Sequence, residues 1–316
     1  MAVEPDQLVT FARVASQGNL TEAAERLNIS QPAVSAQLKR LTEAVGEPLY
    51  ARHRYGITLT PAGQALLPSA QALVRALEGA RHVAGELKGL RRGALYVTAS
   101  MTIAVYLLPQ ILADFRRQQP DIALYLLTRN SQEALTLLEA GDADLALVEG
   151  PLDDVPADLE RSVLLHDRLV LIVKPDHPLA RRSRVALSDL AGLDMVFREA
   201  GSGTREVVER ALARHNVTPV RRLDATGIEA VKEAVLHGLG ASILSMHAVR
   251  REAELGLLKA TPIDSDGFVR PMTLLHPNVQ LCSIATRVFV EFLKHGSERI
   301  PSEVALEAGG DRPGGG

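Results

Sequence analysis

Residues 19–45 constrain the fold of this chain more than any other stretch, because they predict two short helices joined by a tight turn. The first helix has one apolar face with helical spacing, formed by Leu20, Ala23, Ala24 and Leu27. Asn19 precedes it in the position of an N-cap, and Glu22 follows three residues later, where it can reach back to complete a capping box. Asn28 and Ile29 form the predicted turn.

The second predicted helix presents two different faces. Ser30 caps it, and Pro32 lies in its first turn, where a missing N–H costs little. Its apolar face consists of Val34, Leu38, Leu41 and Val45. Its opposite face carries Gln31, Ser35, Lys39 and Arg40. That face can enter the major groove of DNA, with base contacts near its start and phosphate contacts further along. An ordinary helical hairpin with a solvated polar face shows the same pattern.

A basic hairpin is predicted directly after these helices. Residues 49–50 and 57–59 look like two short strands, and the tip between them contains Arg52, His53 and Arg54. A hairpin in this position is the wing of a winged helix-turn-helix. Its arginines suit contacts with phosphates or with the minor groove.

Several motifs in this region occur in one order and at the spacing found in a known family: A-A-x-x-L, S-Q-P-A-V-S, L-Y-A-R and L-T-P-A-G. Together they resemble the DNA-binding domain of the LysR-type transcriptional regulators, and the length and organisation of the rest of the chain fit that family. The resemblance implies a domain that binds double-stranded DNA. The DNA-contacting residues predicted on this basis are Ser30, Gln31, Pro32, Ser35, Lys39, Arg40, Arg52 and Arg54.

Composition limits the remaining possibilities. The net charge of −3, with six basic and six acidic side chains in residues 1–60, argues against a protein that coats nucleic acid indiscriminately. Attraction to DNA must therefore come from where the cations are placed. Cys282 is the only cysteine, which excludes an internal disulfide and a cysteine-based zinc site. No apolar run has membrane-spanning length and no signal-peptide pattern opens the chain, so the sequence predicts a cytoplasmic protein.

A cap followed by proline at residues 60–61 opens a long helix that is predicted to run to about Lys88. Its apolar positions alternate spacings of four and three residues, at Leu66, Ala70, Leu73, Leu77, Ala80, Ala84 and Leu87. This pattern predicts the seam of a coiled-coil dimer, although a helix packed on its own domain shows the same stripe. Pro68 is expected to kink the helix near its start. A hinge is predicted at residues 89–93.

From Ala94 onward, apolar strands alternate with helices, which is the pattern of a parallel α/β sheet. The predicted strands are 95–99, 122–127, 145–148, 164–165, 169–173, 195–197 and 268–275, and the predicted helices are 103–118, 132–140, 204–215, 227–237 and 283–294. Two lobes with the chain crossing near residues 165 and 265 resemble the periplasmic-binding-protein fold, the fold of the LysR-type effector domain.

The predicted fold class is therefore α/β multidomain, with an N-terminal winged helix-turn-helix, a long linker helix and a C-terminal two-lobed α/β domain. The predicted boundaries are 1–60 for DNA binding, 61–92 for the linker and hinge, 93–300 for the effector-binding domain and 301–316 for a disordered tail. Lobe I would comprise about 93–165 and 266–300, and lobe II about 166–265. The tail is rich in proline, glycine and charge, and such a composition cannot bury a core.

Ligands of open α/β sheets bind beyond the carboxyl ends of the strands, where helices begin. Three such segments, residues 100–102, 128–131 and 201–204, offer hydroxyl groups and free backbone N–H groups at positive helix ends. Helix capping explains each segment alone, but the fold resemblance brings them to one cleft and so predicts a small anionic effector between the lobes. The candidate effector-binding residues are Ser100, Met101, Thr102, Asn130, Ser131, Glu149, Ser202, Gly203, Thr204 and Thr226.

Other classes of protein fit the sequence less well. Residues 201–204 lack the frame and the lysine of a phosphate-binding loop, and no GxSxG or HExxH motif occurs. The acid–histidine neighbours at 166–168 and 176–178 have no motif context that would make them catalytic. A transport or storage protein would need only the C-terminal part of the chain.

The sequence therefore predicts a DNA-binding transcriptional regulator rather than an enzyme. The resemblance to the LysR-type regulators implies that it binds an interrupted palindrome as a homodimer or a homotetramer, and that effector binding changes the protein–DNA arrangement and contact with RNA polymerase. No cofactor, metal or membrane partner is predicted. The identity of the effector, the genes controlled and the sign of the regulation stay open.

Overall fold

Three helices and a hairpin form the first part of the computed structural model, which describes residues 2–53, 56–87, 93–152 and 155–295. These elements are α1 (Pro5–Gln17), α2 (Leu20–Leu27), α3 (Gln31–Val45), β1 (Tyr50–His53) and β2 (Gly56–Leu59). They enclose an apolar core to which α1, α2 and α3 all contribute buried side chains, including Phe11, Val14, Ala23, Val34, Leu38 and Leu41. The predicted winged helix-turn-helix is therefore confirmed.

Local details of this domain differ from the predictions at three places. Asn19 caps α2 by accepting a hydrogen bond from the Thr21 N–H at 2.8 Å, but its side-chain amide donates to Glu22, so that carboxylate does not complete a capping box. Val45 is 38% exposed, because it is the last residue of α3 before Gly46 turns the chain with a φ of 87°. Leu49 belongs to the core, and the first wing strand begins one residue later.

The second part of the chain alternates strands and helices, broadly as predicted. Its first elements are β3 (Ala94–Ser100), a π-helical turn (Ile103–Leu107) that continues as α5 (Leu108–Gln118), β4 (Ala123–Arg129), α6 (Ser131–Glu139), β5 (Leu145–Glu149) and β6 (Leu159–Val173). Then follow β7 (Asp194–Arg198), α7 (Gly203–Arg214), β8 (Val220–Ala225), α8 (Ile228–Leu236), β9 (Ser242–Ser245), α9 (Met246–Glu254) and β10 (Lys259–Pro262). The chain returns through β11 (Val269–Pro277) and ends the described part with α10 (Ile284–His295).

Two long strands connect the lobes. The seven-stranded sheet has the order β10-β6-β11-β5-β3-β4, with β9 also paired to β6. The predicted parallel sheet is only partly confirmed: β3 pairs in parallel with β4 and β5, but β11 pairs antiparallel with β5 and β6 because β6 and β11 carry the chain back and forth between the lobes. The prediction of two short strands at 164–165 and 169–173 is wrong, because β6 runs unbroken from Leu159 to Val173. It stays continuous because its first part pairs with β11 and its last part pairs with β9 and β10.

Each lobe has its own apolar core. In lobe I, β3, α5, β5 and α10 pack around residues such as Leu95, Phe115, Leu145 and Phe289. In lobe II, β6, β7, α7 and β9 pack around residues such as Leu171, Met195, Phe197 and Ile243. The chain crosses between these cores at Asp167 in β6 and at Arg270 in β11, and these two residues are paired in the sheet.

The long helix α4 (Pro61–Leu87) runs through Pro68 without interruption. Its predicted seam divides into two parts: Leu66 and Ala70 pack into the N-terminal core, whereas Leu77, Ala80 and Ala84 are exposed. The helix also contacts α1 and α6 of its own chain, so the alternative of a helix packed on its own domain holds for the first part of the seam. Neither α4 nor any other described helix is long and apolar enough to cross a membrane.

Some predictions fall outside the described residues. These are the Leu87 side chain at the end of the seam, the hinge residues 89–92, and the tail at 301–316.

Candidate functional site

The exposed face of α3 carries the residues predicted to contact DNA. Gln31, Pro32, Lys39 and Arg40 are exposed, and Ser35 is half-buried. Ser30 caps the helix, because its hydroxyl oxygen accepts a hydrogen bond from the Ala33 N–H at 3.3 Å. Val34, Leu38 and Leu41 fix the orientation of α3, since their side chains are buried on its other side. The face is therefore available for a major groove, polar at its start and cationic further along.

The wing is held against the helix pair by two contacts. Arg52 Nη2 donates to Ser35 Oγ at 3.1 Å, which joins the wing to α3. The Ile57 N–H donates to the Gly18 carbonyl at 2.9 Å, which joins the wing to the end of α1. A Cβ at Gly56 would lie 2.2 Å from that carbonyl oxygen, so only glycine fits there. The wing and α3 thus form one surface; Arg54, also predicted to bind DNA, lies outside the described residues.

A buried arginine lies at the junction of the two lobes. The Arg270 guanidinium is completely buried and pairs with Asp167 at 2.7 Å and with Glu149 at 3.0 Å. Burial by itself disfavours the charged guanidinium, but Glu149 and Asp167 outweigh it and raise the pKa of Arg270. Arg270 therefore stays charged and connects the end of β5 to both crossing strands.

Glu149 accepts hydrogen bonds from two hydroxyl groups that were predicted to bind the effector. Thr102 at the start of the π-helical turn donates to Glu149 Oε1 at 3.1 Å, and Thr204 in the first turn of α7 donates to the same oxygen at 3.2 Å. Arg270 donates to both threonine oxygens, at 3.3 Å and 2.8 Å. Each hydroxyl has one proton, so an effector would have to compete with Glu149 for Thr102 and Thr204.

The lobes approach each other backbone to backbone beside this cluster. A Cβ at Gly203 would lie 1.8 Å from the Glu149 carbonyl oxygen, so α7 of lobe II can meet the end of β5 only with glycine at this position. Ser131 at the start of α6 donates to that same carbonyl at 2.9 Å. The predicted residues Ser131, Glu149, Gly203 and Thr204 are thus brought together.

Four buried polar atoms near this junction have no hydrogen-bond partner among the described residues. They are Ser100 Oγ, Ser202 Oγ, Glu149 Oε2 and Arg198 Nη1. Buried polar groups in folded proteins are normally paired, so such a group calls for an explanation, such as a ligand or a water molecule. The two serines were predicted to bind effector, and Ser202 precedes α7 without capping it.

Arg198 was not among the predicted residues. It is the last residue of β7, and two of its nitrogens donate to Glu199, at 2.8 Å and 2.7 Å. Burial alone would raise the pKa of Glu199, but these bonds from Arg198 outweigh it and the pKa is lowered. Met101 of lobe I contacts the same guanidinium, with its sulfur 3.8 Å from Arg198 Nη2.

The remaining two candidates have other surroundings. The Asn130 side chain accepts a hydrogen bond from the Glu133 N–H at 2.8 Å and so caps α6. Thr226 is exposed, although its neighbour Gly227 donates its N–H to Glu199 at 3.1 Å.

A cavity of about 450 Å³ opens between the lobes and is large enough for a small molecule. Ser131 and Gln132 line it from lobe I, and Gly201, Ser202 and Arg205 line it from lobe II. The described residues contain no cluster of three or more histidine, cysteine or acidic side chains that could hold a metal ion. The predicted segments 128–131 and 201–204 therefore meet at a cleft.

Asp167, Arg198 and Arg270 are the residues that sequence reasoning missed. Asp167 and Arg270 each interrupt an apolar strand, and a charge in such a strand is a signal that they pair with each other or with a ligand. Arg198 carries a weaker signal, since it only ends a strand and precedes a glycine-rich turn.

Comparison with known proteins identifies both parts of the chain. Residues 5–64 match the family model for bacterial regulatory helix-turn-helix proteins of the lysR family, and residues 88–298 match the LysR substrate binding domain. The HTH-type transcriptional activator CmpR of Synechocystis sp. is 33% identical over 93% of this chain and 96% of that protein. The RuBisCO operon transcriptional regulator of Allochromatium vinosum is 34% identical over 95% and 98%.

Solved structures show the same architecture. Full-length OxyR from Pseudomonas aeruginosa matches 95% of this chain and 96% of its own, with a TM-score of 0.67 and 22% identity. The regulatory domain of CcmR from Synechocystis PCC6803, in complex with 2-PG, matches 66% of this chain and all of its own, with a TM-score of 0.61 and 28% identity. This chain therefore belongs to the LysR family of DNA-binding transcriptional regulators.

Proposed function

We propose that this regulator responds to a small anion that binds between its two lobes. The observation that carries this proposal is the set of unpartnered hydrogen-bond donors near the lobe junction, Ser100 Oγ, Ser202 Oγ and Arg198 Nη1. Hydrogen bonds to an ionised acceptor are about twice as strong as neutral ones, so an anion uses such donors best. The N-terminus of α7, whose helix dipole favours negative charge, lies beside Ser202.

These donors refine the predicted effector contacts. Because Thr102 and Thr204 already donate to Glu149, we assign them to the junction itself and Ser100, Ser202 and Arg198 to the ligand. Met101 and Gly203 would shape the site, and Ser131 would hold β5 in place.

The relative CcmR suggests which ligands to test first. Its regulatory domain is bound to 2-PG and is 28% identical to the corresponding part of this chain. We therefore take 2-PG as the first candidate, with inorganic phosphate as a minimal anion and shikimate, bound by the QuiR effector domain, as a contrasting ligand.

Regulation by oxidation of a thiol is less well supported than regulation by a bound ligand. Cys282 is the only cysteine of the chain, so an intramolecular disulfide cannot form. Burial raises the pKa of the Cys282 thiol to about 11, which leaves little reactive thiolate at neutral pH. Ligand binding is therefore the preferred form of regulation.

The remaining properties that we propose for this protein are those expected of a LysR-type regulator. The protein would act in the cytoplasm as a homodimer or homotetramer, contact RNA polymerase, and need no cofactor and catalyse no reaction. Residues 1–60 would bind double-stranded DNA through the exposed face of α3 and the wing, and residues 93–300 would bind the effector. The linker between them would include the exposed residues Leu77, Ala80 and Ala84.

Calorimetry on the full chain tests the anion site. Ser100→Ala and Ser202→Ala should each weaken binding of 2-PG by roughly tenfold to a hundredfold, the value of one charge-assisted hydrogen bond. The exposed Ser183→Ala on lobe II is the matched control and should bind like the wild type. Melting temperatures should not fall, because neither hydroxyl has a partner within the described protein. Unchanged affinity in both variants contradicts the assignment, and no binding of any probe by the wild type contradicts the ligand class.

A further inference from the structure

One acidic side chain of lobe I contacts two helices of the N-terminal domain of its own chain. Asp142 lies in the loop between α6 and β5, and its two carboxylate oxygens accept from different helices. Arg13 of α1 contacts Oδ1 at 2.6 Å, and Arg26 of α2 contacts Oδ2 at 2.5 Å. Asp142 and Arg13 are largely shielded from solvent, with 16% and 13% of their side chains exposed.

The linker helix makes a second contact with the same part of lobe I. The Arg75 side chain is almost fully buried and pairs with Asp158, and its Nη1 donates to the Glu139 carbonyl at 2.8 Å. Gln71 donates to the Glu139 carboxylate at 3.4 Å. Glu139 is the last residue of α6, so α1, α2 and α4 all meet the α6–β5 segment at one end.

The other end of the α6–β5 segment lies at the lobe junction. Ser131 opens α6 and donates to the Glu149 carbonyl, and Glu149 closes β5 and accepts from Thr102, Thr204 and Arg270. The nine residues of α6 span about 13 Å at 1.5 Å per residue. One rigid helix and one strand therefore connect the cleft directly to the surface that holds the N-terminal domain.

We propose that Asp142 is an ionic clamp that fixes the DNA-binding domain on lobe I, and that the α6–β5 segment couples effector binding to this clamp. The second half rests on the proposed function, because it requires a ligand in the cleft. A ligand that moves Glu149 or the start of α6 shifts Glu139 and Asp142 as well, and so changes the angle at which α3 is presented to DNA. Release of the clamp leaves α4 held on lobe I through Arg75 and Gln71, and frees α1 and α2 to tilt against lobe I about that contact.

The clamp is tested first without any ligand. Spin labels at the exposed positions Glu25→Cys and Gln118→Cys, in a Cys282→Ala background, report the distance between α2 and lobe I. Labelled chains are diluted in excess unlabelled chain, so that only distances within one chain contribute. The parent should give a narrow distribution, and Asp142→Asn should broaden it. Asp114→Asn on α5, whose carboxylate pairs with Arg117 of the same helix, is the matched control and should leave it narrow.

High salt provides a test that needs no substitution at the clamp. Screening of the partly exposed Arg26–Asp142 pair should broaden the parent distribution towards that of Asp142→Asn. A distribution that stays narrow in Asp142→Asn overturns the clamp.

The coupling is tested with 2-PG as the probe, on the full chain bound to DNA from upstream of its own coding sequence. Asp142→Asn should bind 2-PG like the wild type in calorimetry. The change in operator affinity that 2-PG produces, typically at least about fivefold for an allosteric effector, should shrink to below about twofold in Asp142→Asn and persist in Asp114→Asn. A full response in Asp142→Asn overturns the coupling. If the wild type does not bind 2-PG, the proposed ligand is wrong, and the distance measurements still decide the clamp.

Discussion

Arg270 holds two carboxylates from two different elements in one buried cluster. Moving charges out of water is expensive, and well-packed apolar residues often replace a buried ion pair without loss of stability. The cluster therefore gives the lobes a defined arrangement more than it adds stability. Thr102 and Thr204 extend it, because each hydroxyl bridges Arg270 and Glu149. A ligand that competes with Glu149 for these hydroxyl groups would disturb the contact that sets the relative position of the lobes.

Replacement of Arg270 should be costly. Arg270→Met leaves Glu149 and Asp167 buried without their cation, and removing one partner of a buried pair typically costs about 3–5 kcal/mol of unfolding free energy. Urea unfolding of the full chain measures this loss. Arg184→Met is the matched control, because Arg184 is 61% exposed and 3.8 Å from Asp264, and it should cost below about 0.5 kcal/mol. Equal stabilities of the two variants would contradict the role given to Arg270.

The sequence could identify individual polar residues in the cleft but not how they are paired. Ser131, Glu149, Ser202 and Thr204 follow from strand ends and helix starts, which local patterns reveal. Their pairing depends on Arg270, which comes more than 60 residues after Thr204 and meets it only through the crossing strands. Periodicity describes neighbours within one element, so it does not report which distant charge will satisfy a buried carboxylate.

At the scale of elements, the apolar stripe of α4 has two different surroundings along its length. The heptad pattern correctly locates an apolar stripe, but the pattern cannot tell which surface covers it. Leu66 and Ala70 are covered by the chain's own N-terminal core, while Leu77 and Ala80 stay exposed. The β6 strand shows a related limit, because Asp167 and Arg168 look like a turn between strands until β11 and β9 are seen to pair on either side.

The exposed part of the α4 stripe should hold two chains together. Leu77→Glu with Ala80→Glu places charges at the predicted seam, and an unpaired buried charge costs about 3 kcal/mol or more, equivalent to a Kd for dimerisation roughly a hundredfold higher. Sedimentation equilibrium measures the change. Gln64→Glu, exposed on the same helix but outside the stripe, is the control and should leave the Kd unchanged. An unaltered mass in the double variant would place the dimer contact elsewhere.

At the scale of the whole molecule, the positions of the basic side chains matter more for DNA binding than the net charge. The chain has a net charge of −3, yet Lys39 and Arg40 extend one face of α3 and Arg52 lies beside it in the wing. Arg13 and Arg26 of the same domain face lobe I instead, where both pair with the Asp142 carboxylate. The division of the cations between two surfaces explains how a domain with no net charge both binds DNA and stays attached to its sensor.

This division predicts two separable effects on DNA binding. Gln31 is exposed at the start of α3, so Gln31→Ala should lose about 1–3 kcal/mol of discrimination at one base pair and little affinity for other sequences. Lys39 is 78% exposed further along the same face, so Lys39→Ala should weaken binding to all sequences alike. The slope of log affinity against log salt should fall in magnitude by about 0.9 for each phosphate that the protein no longer neutralises.

Competition gel shifts with single-base variants of the operator, repeated over a series of salt concentrations, measure both quantities for each protein. Lys174→Ala on the surface of lobe II removes the same charge far from α3 along the chain, and its base preference and salt slope should match the wild type. If Gln31→Ala keeps the wild-type base preference while Lys39→Ala changes it, the bases are contacted by the C-terminal part of α3 and not by its N-terminal end. If neither variant differs from the control, α3 does not enter the groove through this face, and the wing must supply the contacts that choose the site.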